Sequence, residues 1–139
     1  MSESGRYFKL QVIAPDRVFL EEDADMVELT TTEGEIGVLK DHIPLTAIVA
    51  PGILRIKKDG QQKEAALLEG FVEILPDKVV ILAESCEWPE EIDINRANEA
   101  KIRAERRLKS ADAEMNEARA ELALRRSLVR LALAEKRNG

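Results

Sequence analysis

The chain has 139 residues, enough for one ordinary domain or a small domain with an appendage. It carries 21 Lys and Arg against 27 Asp and Glu, with one cysteine and one histidine. A single cysteine excludes an internal disulfide, and one His with one Cys cannot provide the usual structural zinc set. The N-terminus lacks the features of a signal peptide, and no apolar run approaches the roughly 20 residues needed to cross a bilayer. We therefore expect a soluble, cytosolic protein that reaches a membrane only through a partner.

Charge and composition change together near residue 89. Residues 1–92 carry 9 Lys and Arg against 19 Asp and Glu, whereas residues 93–139 carry 12 against 8. All prolines lie at or before Pro89 and all aromatic residues at or before Trp88. These shifts predict two domains, residues 1–88 and residues 89–139. An acidic body with a basic tail indicates a tail that meets an acidic partner or an anion.

The first domain is predicted to consist of short strands separated by turns. The segment "YFKLQVI" alternates apolar and polar side chains, and "MVELTTT", "EGEIG", "GFVEIL" and "VVILA" follow it. Asp59-Gly60 predicts a β-hairpin because glycine supplies the positive φ of a tight turn, and Pro76-Asp77 predicts a second hairpin. Short strands at this spacing favour an antiparallel β-sandwich or barrel.

The second domain is predicted to be a helical hairpin. Asp93 is a natural N-cap for a helix that runs to about Lys109, and "SAD" at 110–112 offers a break before a second helix to about Lys136. The short connection favours an antiparallel pair, so the fold class is α+β: an N-terminal antiparallel β-sandwich followed by a C-terminal antiparallel two-helix hairpin. The stripe predicted for the first helix contains Ala97, Ala100, Ala104 and Leu108. The apolar face predicted for the second contains Met115, Ala118, Leu122, Val129 and Leu133, widened by Leu124, Leu128 and Leu131.

No motif argues for catalysis or for a metal site. His42, in "GVLKDHIPL", has no serine or cysteine nearby that could act as its nucleophile. A hydrolase centred on His42 would need a second base, and the sequence offers only Asp41. The glycines of "EGEIGVLKDH" do not form the G-x-x-x-x-G-K-[ST] phosphate loop. We expect His42 to order a loop or contact a partner.

The arginines of the tail follow helical spacing. Arginines share one face of each predicted helix, and such clusters suit a phosphate group. The alternative is an ordinary solvated helix surface, since acid–base pairs at spacing four are also present. Nucleic acid is a weaker alternative because the body is acidic and the stripes lack interleaved aromatics. The two stripes are Arg96, Arg103 and Arg107, and Arg119, Arg126, Arg130 and Arg137.

Several motifs in order resemble one family. "EGEIGVLKDHIPL", "PGILRI", "GFVEILPDKVVILAE", "IDINRA" and "AELALRRSLVRLALAEK" resemble the epsilon subunit of bacterial F-type ATP synthase, from about Lys9 to Lys136. The chain departs from the family pattern at Lys40-Asp41, where Pro-Gly is common, and at Glu69, where a glycine is common. Both departures lie in predicted turns.

The resemblance implies a non-catalytic subunit of the central rotor, with a ten-stranded β-sandwich. It implies contacts with the gamma subunit, the c-ring and the beta and alpha subunits of the catalytic head, without nucleic acid or membrane insertion. Glu35 matches an acidic residue that faces the c-ring loops, and His42 lies on the segment near gamma. The protein would then lie at the cytoplasmic face of the bacterial cell membrane through its complex, with either protons or sodium as the coupling ion.

The resemblance also implies a regulatory tail. Extended, the hairpin inhibits ATP hydrolysis; folded, in some members, it binds ATP through an [IL]-D-x-x-R-A motif that "IDINRA" fits. No cofactor is required, and ATP would be a regulatory ligand. The alternatives are the same subunit with "IDINRA" serving only as a helix start, or a nucleic-acid adaptor. The implied nucleotide-binding residues are Glu87, Asp93, Arg96, Arg103, Arg126 and Arg130.

Overall fold

The computed structural model describes residues 5–110 and 117–138, with side chains up to Lys136. The chain divides into two compact units, residues 1–86 and residues 87–139. The division falls two residues before the predicted boundary. Met115 and most of the predicted break at 110–112 lie outside the described residues.

The first unit contains the predicted β-sandwich. The strands follow the order β10-β7-β6-β3-β5-β8-β9-β1-β2, and β4 pairs with β3. Strands β1 and β9 are parallel, whereas β1–β2, β3–β4, β3–β5, β3–β6, β5–β8, β6–β7 and β8–β9 are antiparallel pairs. The ten strands implied by the family resemblance are present, although residue patterns alone did not predict β2, β5 or β10. The strands are β1 (Phe8–Ala14), β2 (Arg17–Ala24), β3 (Met26–Thr31), β4 (Gly34–Val38), β5 (Leu45–Val49), β6 (Gly52–Lys58), β7 (Gln61–Leu67), β8 (Gly70–Leu75), β9 (Lys78–Ala83) and β10 (Cys86–Glu87).

Alternating burial explains why these segments form strands. In β1 the side chains of Phe8, Leu10 and Val12 are buried, whereas Lys9 is exposed. This period of two places every second side chain in the core. The buried branched residues of the facing strands complete a dry interior. They include Val27, Leu29, Leu54, Ile56, Leu67, Ile74 and Ile81.

The predicted hairpin turns are confirmed. Asp59 and Gly60 connect β6 to β7 and have φ angles of 52° and 81°. Positive φ at both central residues defines a type I′ turn, whose twist matches that of the two strands of a hairpin. Pro76 and Asp77 connect β8 to β9.

Both departures from the family pattern are accommodated locally. The N–H of His42 donates to the carbonyl of Leu39 at 3.2 Å, and Asp41 has a φ of 64°. A turn with positive φ at its third residue suits a Pro-Gly pair, and here Lys40-Asp41 fills the same two positions. A side chain is tolerated at residue 69 because the close approach to the backbone of β9 occurs at Gly70 and not at Glu69. A Cβ at residue 70 would overlap the carbonyl oxygen of Leu82.

The second unit is the predicted helical hairpin. Helix α1 covers Ile94–Lys109 and helix α2 covers Glu117–Asn138, and the two pack against each other. Arg130, near the end of α2, lines the same pocket as Arg96, near the start of α1, so the helices are antiparallel. In the described parts of the chain, neither helix is long and apolar enough to span a membrane.

The helices pack through small side chains. Ala97 and Ala104 are buried on α1, as the predicted stripe required, and Ser127 and Ala134 are buried on α2. Each pair is seven residues apart, which aligns its members along one side of a helix. The predicted face of α2 was partly wrong: Leu133 is buried, but Ala118 is exposed and the large side chains Leu122, Leu124, Val129 and Leu131 are only half-buried.

Candidate functional site

A short connecting segment leads into α1, and we call residues 87–92 the strap. The backbone N–H of Trp88 donates to Glu91 Oε1 at 2.9 Å. Pro89 then begins a single 3-10 turn, which the N–H of Ile92 closes onto the carbonyl of Pro89 at 3.2 Å. The fixed φ of proline suits the first position of such a turn. The sequence of the strap therefore orders it locally.

Asp93 is the N-cap of α1. Its Oδ1 accepts a hydrogen bond from the backbone N–H of Arg96 at 3.1 Å, and its carbonyl accepts from the N–H of Ala97 at 3.0 Å. The carboxylate thus satisfies one of the free donors of the first turn and lies near the positive end of the helix dipole. The predicted helix start in "IDINRA" is confirmed.

The strap, the first half of α1 and the second half of α2 enclose a polar pocket of about 280 Å³. Arg96 and Arg103 are seven residues apart and lie on the same side of α1. Ala97 and Ala100 lie on that side too, and their short side chains leave the space open. The lining residues are Glu87, Glu91, Asp93, Arg96, Ala97, Ala100, Arg103 and Arg130.

One ion pair crosses the pocket. Arg130 Nε donates to Glu87 Oε1 at 2.7 Å, and both side chains are about one-quarter exposed. The pair joins the strap to α2 across 43 positions of sequence. A charge-assisted hydrogen bond of this length is among the stronger kinds.

The carboxylates of the pocket have hydrogen-bond partners, whereas two of its arginines have none among the described residues. Glu91 accepts from Trp88, Asp93 caps α1 and Glu87 pairs with Arg130. Arg96 and Arg103, in contrast, make no side-chain hydrogen bond or ion pair with any residue that the structure describes. Two guanidinium groups therefore line the pocket without an ion pair to any described residue, which suits an anion with several oxygen atoms.

The structure brings together five of the six predicted nucleotide-binding residues: Glu87, Asp93, Arg96, Arg103 and Arg130 all line the pocket. Arg126 lies one helical turn before Arg130 and is half-buried, but it is not among the described lining residues. Within residues 5–110 and 117–136, no group of three or more His, Cys, Asp or Glu side chains could hold a metal ion.

Glu91, Ala97 and Ala100 line the pocket but were not predicted as site residues. The sequence did contain a signal for Glu91. In "WPEE" an acid stands three residues after Trp88, and a side chain at that spacing can accept a hydrogen bond from the backbone N–H of Trp88. Ala97 and Ala100 had been assigned only to helix packing. Their contribution is a side chain small enough to leave space in the pocket, which a search for charged motifs does not detect.

The two predicted partner-contact residues lie in the first unit. Glu35, in β4, is exposed and its Oε1 lies 3.5 Å from Arg55 Nη1, while Arg55 Nε donates to Glu64 at 3.2 Å. His42 follows the turn at Lys40-Asp41, and its Nδ1 lies 2.9 Å from the carbonyl oxygen of Ile43. Both residues are accessible at the surface.

A larger recess of about 500 Å³ lies at one end of the first unit and has a different character. Arg6 pairs there with Asp59 at 2.6 Å, and Lys57 with Glu28 at 3.2 Å. Two of its three cations, Arg6 and Lys57, are therefore paired with neighbouring carboxylates. The smaller pocket of the hairpin, with its two unpaired guanidinium groups, is the better anion site.

Comparison with known proteins identifies the family. Residues 7–89 match the family model described as ATP synthase, Delta/Epsilon chain, beta-sandwich domain, and residues 90–135 match the long alpha-helix domain of the same chain. Together the two matches cover nearly the whole sequence. The chain belongs to the delta/epsilon family of ATP synthase subunits.

Similar relatives carry the name epsilon chain, and a similar solved structure belongs to an ATP synthase. The ATP synthase epsilon chain of Caldanaerobacter subterraneus subsp. tengcongensis is 52% identical over 130 residues, covering 93% of this chain and 94% of the relative. That of Halalkalibacterium halodurans is 48% identical over 126 residues, covering 90% and 95%. A chain in the structure of the Euglena gracilis mitochondrial ATP synthase, OSCP/F1/c-ring, superimposes with a TM-score of 0.80 at 27% identity, covering 93% of this chain and 81% of that one.

These findings confirm the resemblance on which the expectations were based. The chain is of the epsilon type, a subunit of the central stalk of F-type ATP synthase. Subunits of this type are structural and regulatory and are not themselves catalytic. The α+β fold class is likewise confirmed.

Proposed function

We propose that this subunit links the gamma subunit to the c-ring through its sandwich and regulates ATP hydrolysis through its hairpin, which binds ATP when folded. The observation that carries the regulatory part is the pocket in which Arg96 and Arg103, beside Arg130, form no ion pair with any described residue. A triphosphate would provide these two guanidinium groups with a partner. The alternative is the same subunit with no nucleotide site.

The pocket suits the phosphates of a nucleotide. Guanidinium groups bind phosphate oxygens in a planar, two-pronged manner, and three such groups line the space. Arg126, one turn before Arg130, would reach the ligand from the same helix after a small adjustment of α2. The volume of about 280 Å³ is at the lower end for a ligand site, so the remainder of the nucleotide would extend beyond the pocket.

The helix packing supports a hairpin that can open. Most buried side chains of the two helices are small, with Leu133 as the large exception, so they remove limited apolar area from water, and stability from burial scales with that area. Opening α2 away from α1 would therefore cost little. ATP would favour the folded form by binding it more tightly than the extended form.

The extended hairpin would inhibit hydrolysis by bringing the arginines of α2 to acidic residues of the catalytic beta subunit. Arg126 and Arg130 cannot serve ATP phosphates and these carboxylates together. A competition of this kind makes inhibition depend on nucleotide concentration. The activity belongs to the assembly, and this subunit would set the fraction of time for which it is blocked.

An exposed apolar row on the sandwich supports docking to the gamma subunit. Ile48 in β5 pairs with Phe71 in β8, and Phe71 pairs with Leu82 in β9, so that the three side chains lie side by side across three strands. Each is more than half exposed. Contiguous exposed apolar surface of this kind marks a protein interface. We assign this row to gamma, with His42 near it in sequence, and Glu35 to the c-ring loops.

The test is calorimetric titration of ATP, with GTP as the control ligand, into the full chain. The variant Arg126→Ala/Arg130→Ala removes two predicted phosphate ligands. The variant Arg119→Ala/Arg125→Ala removes two exposed arginines of the same helix that do not line the pocket, so it is the matched control. Saturable binding of ATP that only the first variant loses supports the proposal. No heat of binding at millimolar ATP would leave Asp93 as a helix cap alone.

A further inference from the structure

The pocket between the strap and the two helices contains its own anion. Of the three arginines that line it, Arg130 is paired with the carboxylate of Glu87 at 2.7 Å, whereas Arg96 and Arg103 have no partner in the part of the chain that the structure describes. Glu87 is therefore an acid of the pocket whose carboxylate already pairs with one of these guanidinium groups. The other two carboxylates accept backbone N–H groups.

The same N–H donors of Arg130 cannot bind both the Glu87 carboxylate and a phosphate group. A guanidinium group has five N–H donors in a plane, and it binds a phosphate best with two adjacent donors. Glu87 occupies the Nε donor, which belongs to one of these adjacent pairs. A phosphate that takes this pair must displace the carboxylate, and a phosphate that takes another edge remains close to a negative charge.

We propose that Glu87 is a built-in competitor for Arg130, which an incoming polyphosphate displaces, so that ligand binding releases the strap from α2. This inference rests on the proposed nucleotide site and gives Glu87 a role in the empty state that precedes any contact with the ligand. In that state the ion pair holds α2 against the strap without nucleotide. The affinity for phosphate is correspondingly lower than the three arginines alone would give.

The release of Glu87 can be observed through its neighbour. Trp88 is the only tryptophan of the chain and follows Glu87 directly in the strap. Its backbone N–H is held by Glu91, so a shift of the strap changes the surroundings of the indole ring. Tryptophan fluorescence therefore reports on the strap while calorimetry reports on binding.

The test is titration of inorganic tripolyphosphate into the full chain and into two variants. Tripolyphosphate has the phosphates of ATP but no base or ribose, so it isolates the competition at Arg130. Glu87→Gln removes the competing charge. Glu90→Gln removes the same charge from the same strap, at an exposed residue that is not among those lining the pocket.

We expect Glu87→Gln to bind tripolyphosphate about threefold to fivefold more tightly than the unmodified chain, as a partly exposed ion pair implies. Glu90→Gln should remain within about twofold, since its charge is distant and screened. In Glu87→Gln, the fluorescence change on binding should become smaller because the strap is already released. A purely structural role for Glu87 would not increase affinity.

The test distinguishes a failure of the proposed nucleotide site from a failure of the proposed competition at Arg130. If neither ATP nor tripolyphosphate binds the unmodified chain or Glu87→Gln at millimolar concentration, the proposed nucleotide site itself is wrong. If ATP binds the unmodified chain but Glu87→Gln binds tripolyphosphate no more tightly than Glu90→Gln does, the competition is wrong and the nucleotide site stands. Tripolyphosphate binding that appears only in Glu87→Gln would support the inference in its strongest form.

Discussion

Asp93 Oδ1 and the backbone N–H of Arg96 are joined by a hydrogen bond of 3.1 Å, which uses the main chain of Arg96 and not its guanidinium group. The bond is an N-cap, which any helix start can use. Both side chains also line the pocket. One residue can therefore cap the helix and contact a ligand.

Two substitutions of Asp93 separate these roles. Asp93→Ala should lower the stability of the hairpin by about 1 kcal/mol, because the cap is lost. Asp93→Asn keeps a good capping group and should leave helix stability close to that of the unmodified chain. Both should weaken ATP binding if the charge is a ligand. Far-ultraviolet circular dichroism during thermal unfolding checks the first effect and calorimetry the second. Full ATP affinity in Asp93→Asn would reduce Asp93 to a cap.

The small-residue contact between the helices predicts sensitivity to side-chain size. Ala104 is 2% exposed, so Ala104→Leu should force α1 and α2 apart at a cost of about 1–3 kcal/mol. ATP binding should weaken with it, because the pocket depends on both helices. Ala118→Leu makes the same change at an exposed position and is the control. Equal ATP affinities for the two variants would show that the pocket does not need this contact.

The turn before His42 stores backbone strain that can be relieved. Asp41 has a φ of 64°, a region that favours glycine. Asp41→Gly should therefore raise the free energy of unfolding by about 0.5 kcal/mol, the strain relieved being only partly offset by the greater freedom of glycine when unfolded. Asp16→Gly, in the turn before β2 and without a positive φ, should change it in the opposite direction. Urea unfolding of both variants measures the two changes in the free energy of unfolding. Equal changes in the two variants would contradict the prediction.

A cluster at the β6–β7 turn predicts a dependence on pH. Asp59 accepts hydrogen bonds from the Tyr7 hydroxyl and from Arg6, and these hold the pKa of its carboxyl below the usual range. Because the folded pKa is the lower one, this contribution to stability is fully present above the unfolded pKa near 4. It is lost as the pH falls through the folded pKa.

Asp59→Asn provides the measurement, since asparagine tolerates the positive φ of this turn. The difference in unfolding midpoint between the unmodified chain and Asp59→Asn should be largest above pH 5 and should shrink at lower pH. Asp77→Asn, in the β8–β9 turn, is the control. A difference that does not vary with pH would mean that the charge of Asp59 contributes nothing to the cluster.

Local signals were sufficient for much of the fold. The glycine of Asp59-Gly60, the rigid ring of Pro76 and the capping carboxylate of Asp93 each act within a few residues, and each was predicted correctly. Strand β2, "RVFLEEDA", was missed because only Phe19 and Ala24 are buried and its charges obscure the alternation. The parallel pairing of β1 with β9 joins residues about 70 positions apart, which no local pattern indicates.

The sequence predicted which residues belong to the site but not how these residues are arranged in space. Spacing aligned Arg96 with Arg103, because helical periodicity fixes that relationship. The pairing of Glu87 with Arg130 depends on how α2 returns to the strap, and sequence separation carries no information about that distance. The face of α2 was only partly predicted for a related reason. Leu133 is buried as predicted, but the other large apolar side chains were also assigned to the face, whereas small side chains are buried in their place. These small residues are Ala120, Ser127 and Ala134.

The central claim is that the hairpin regulates hydrolysis, and the most direct measurement compares ATP hydrolysis by the assembled ATPase carrying the full chain or a chain ending at Glu91. The truncation removes α1, α2 and the pocket but retains every strand of the sandwich. The account predicts faster hydrolysis with the truncated chain while the gamma subunit and the c-ring remain bound to it. An unchanged rate in an intact assembly would contradict it, because the hairpin would then have no inhibitory role.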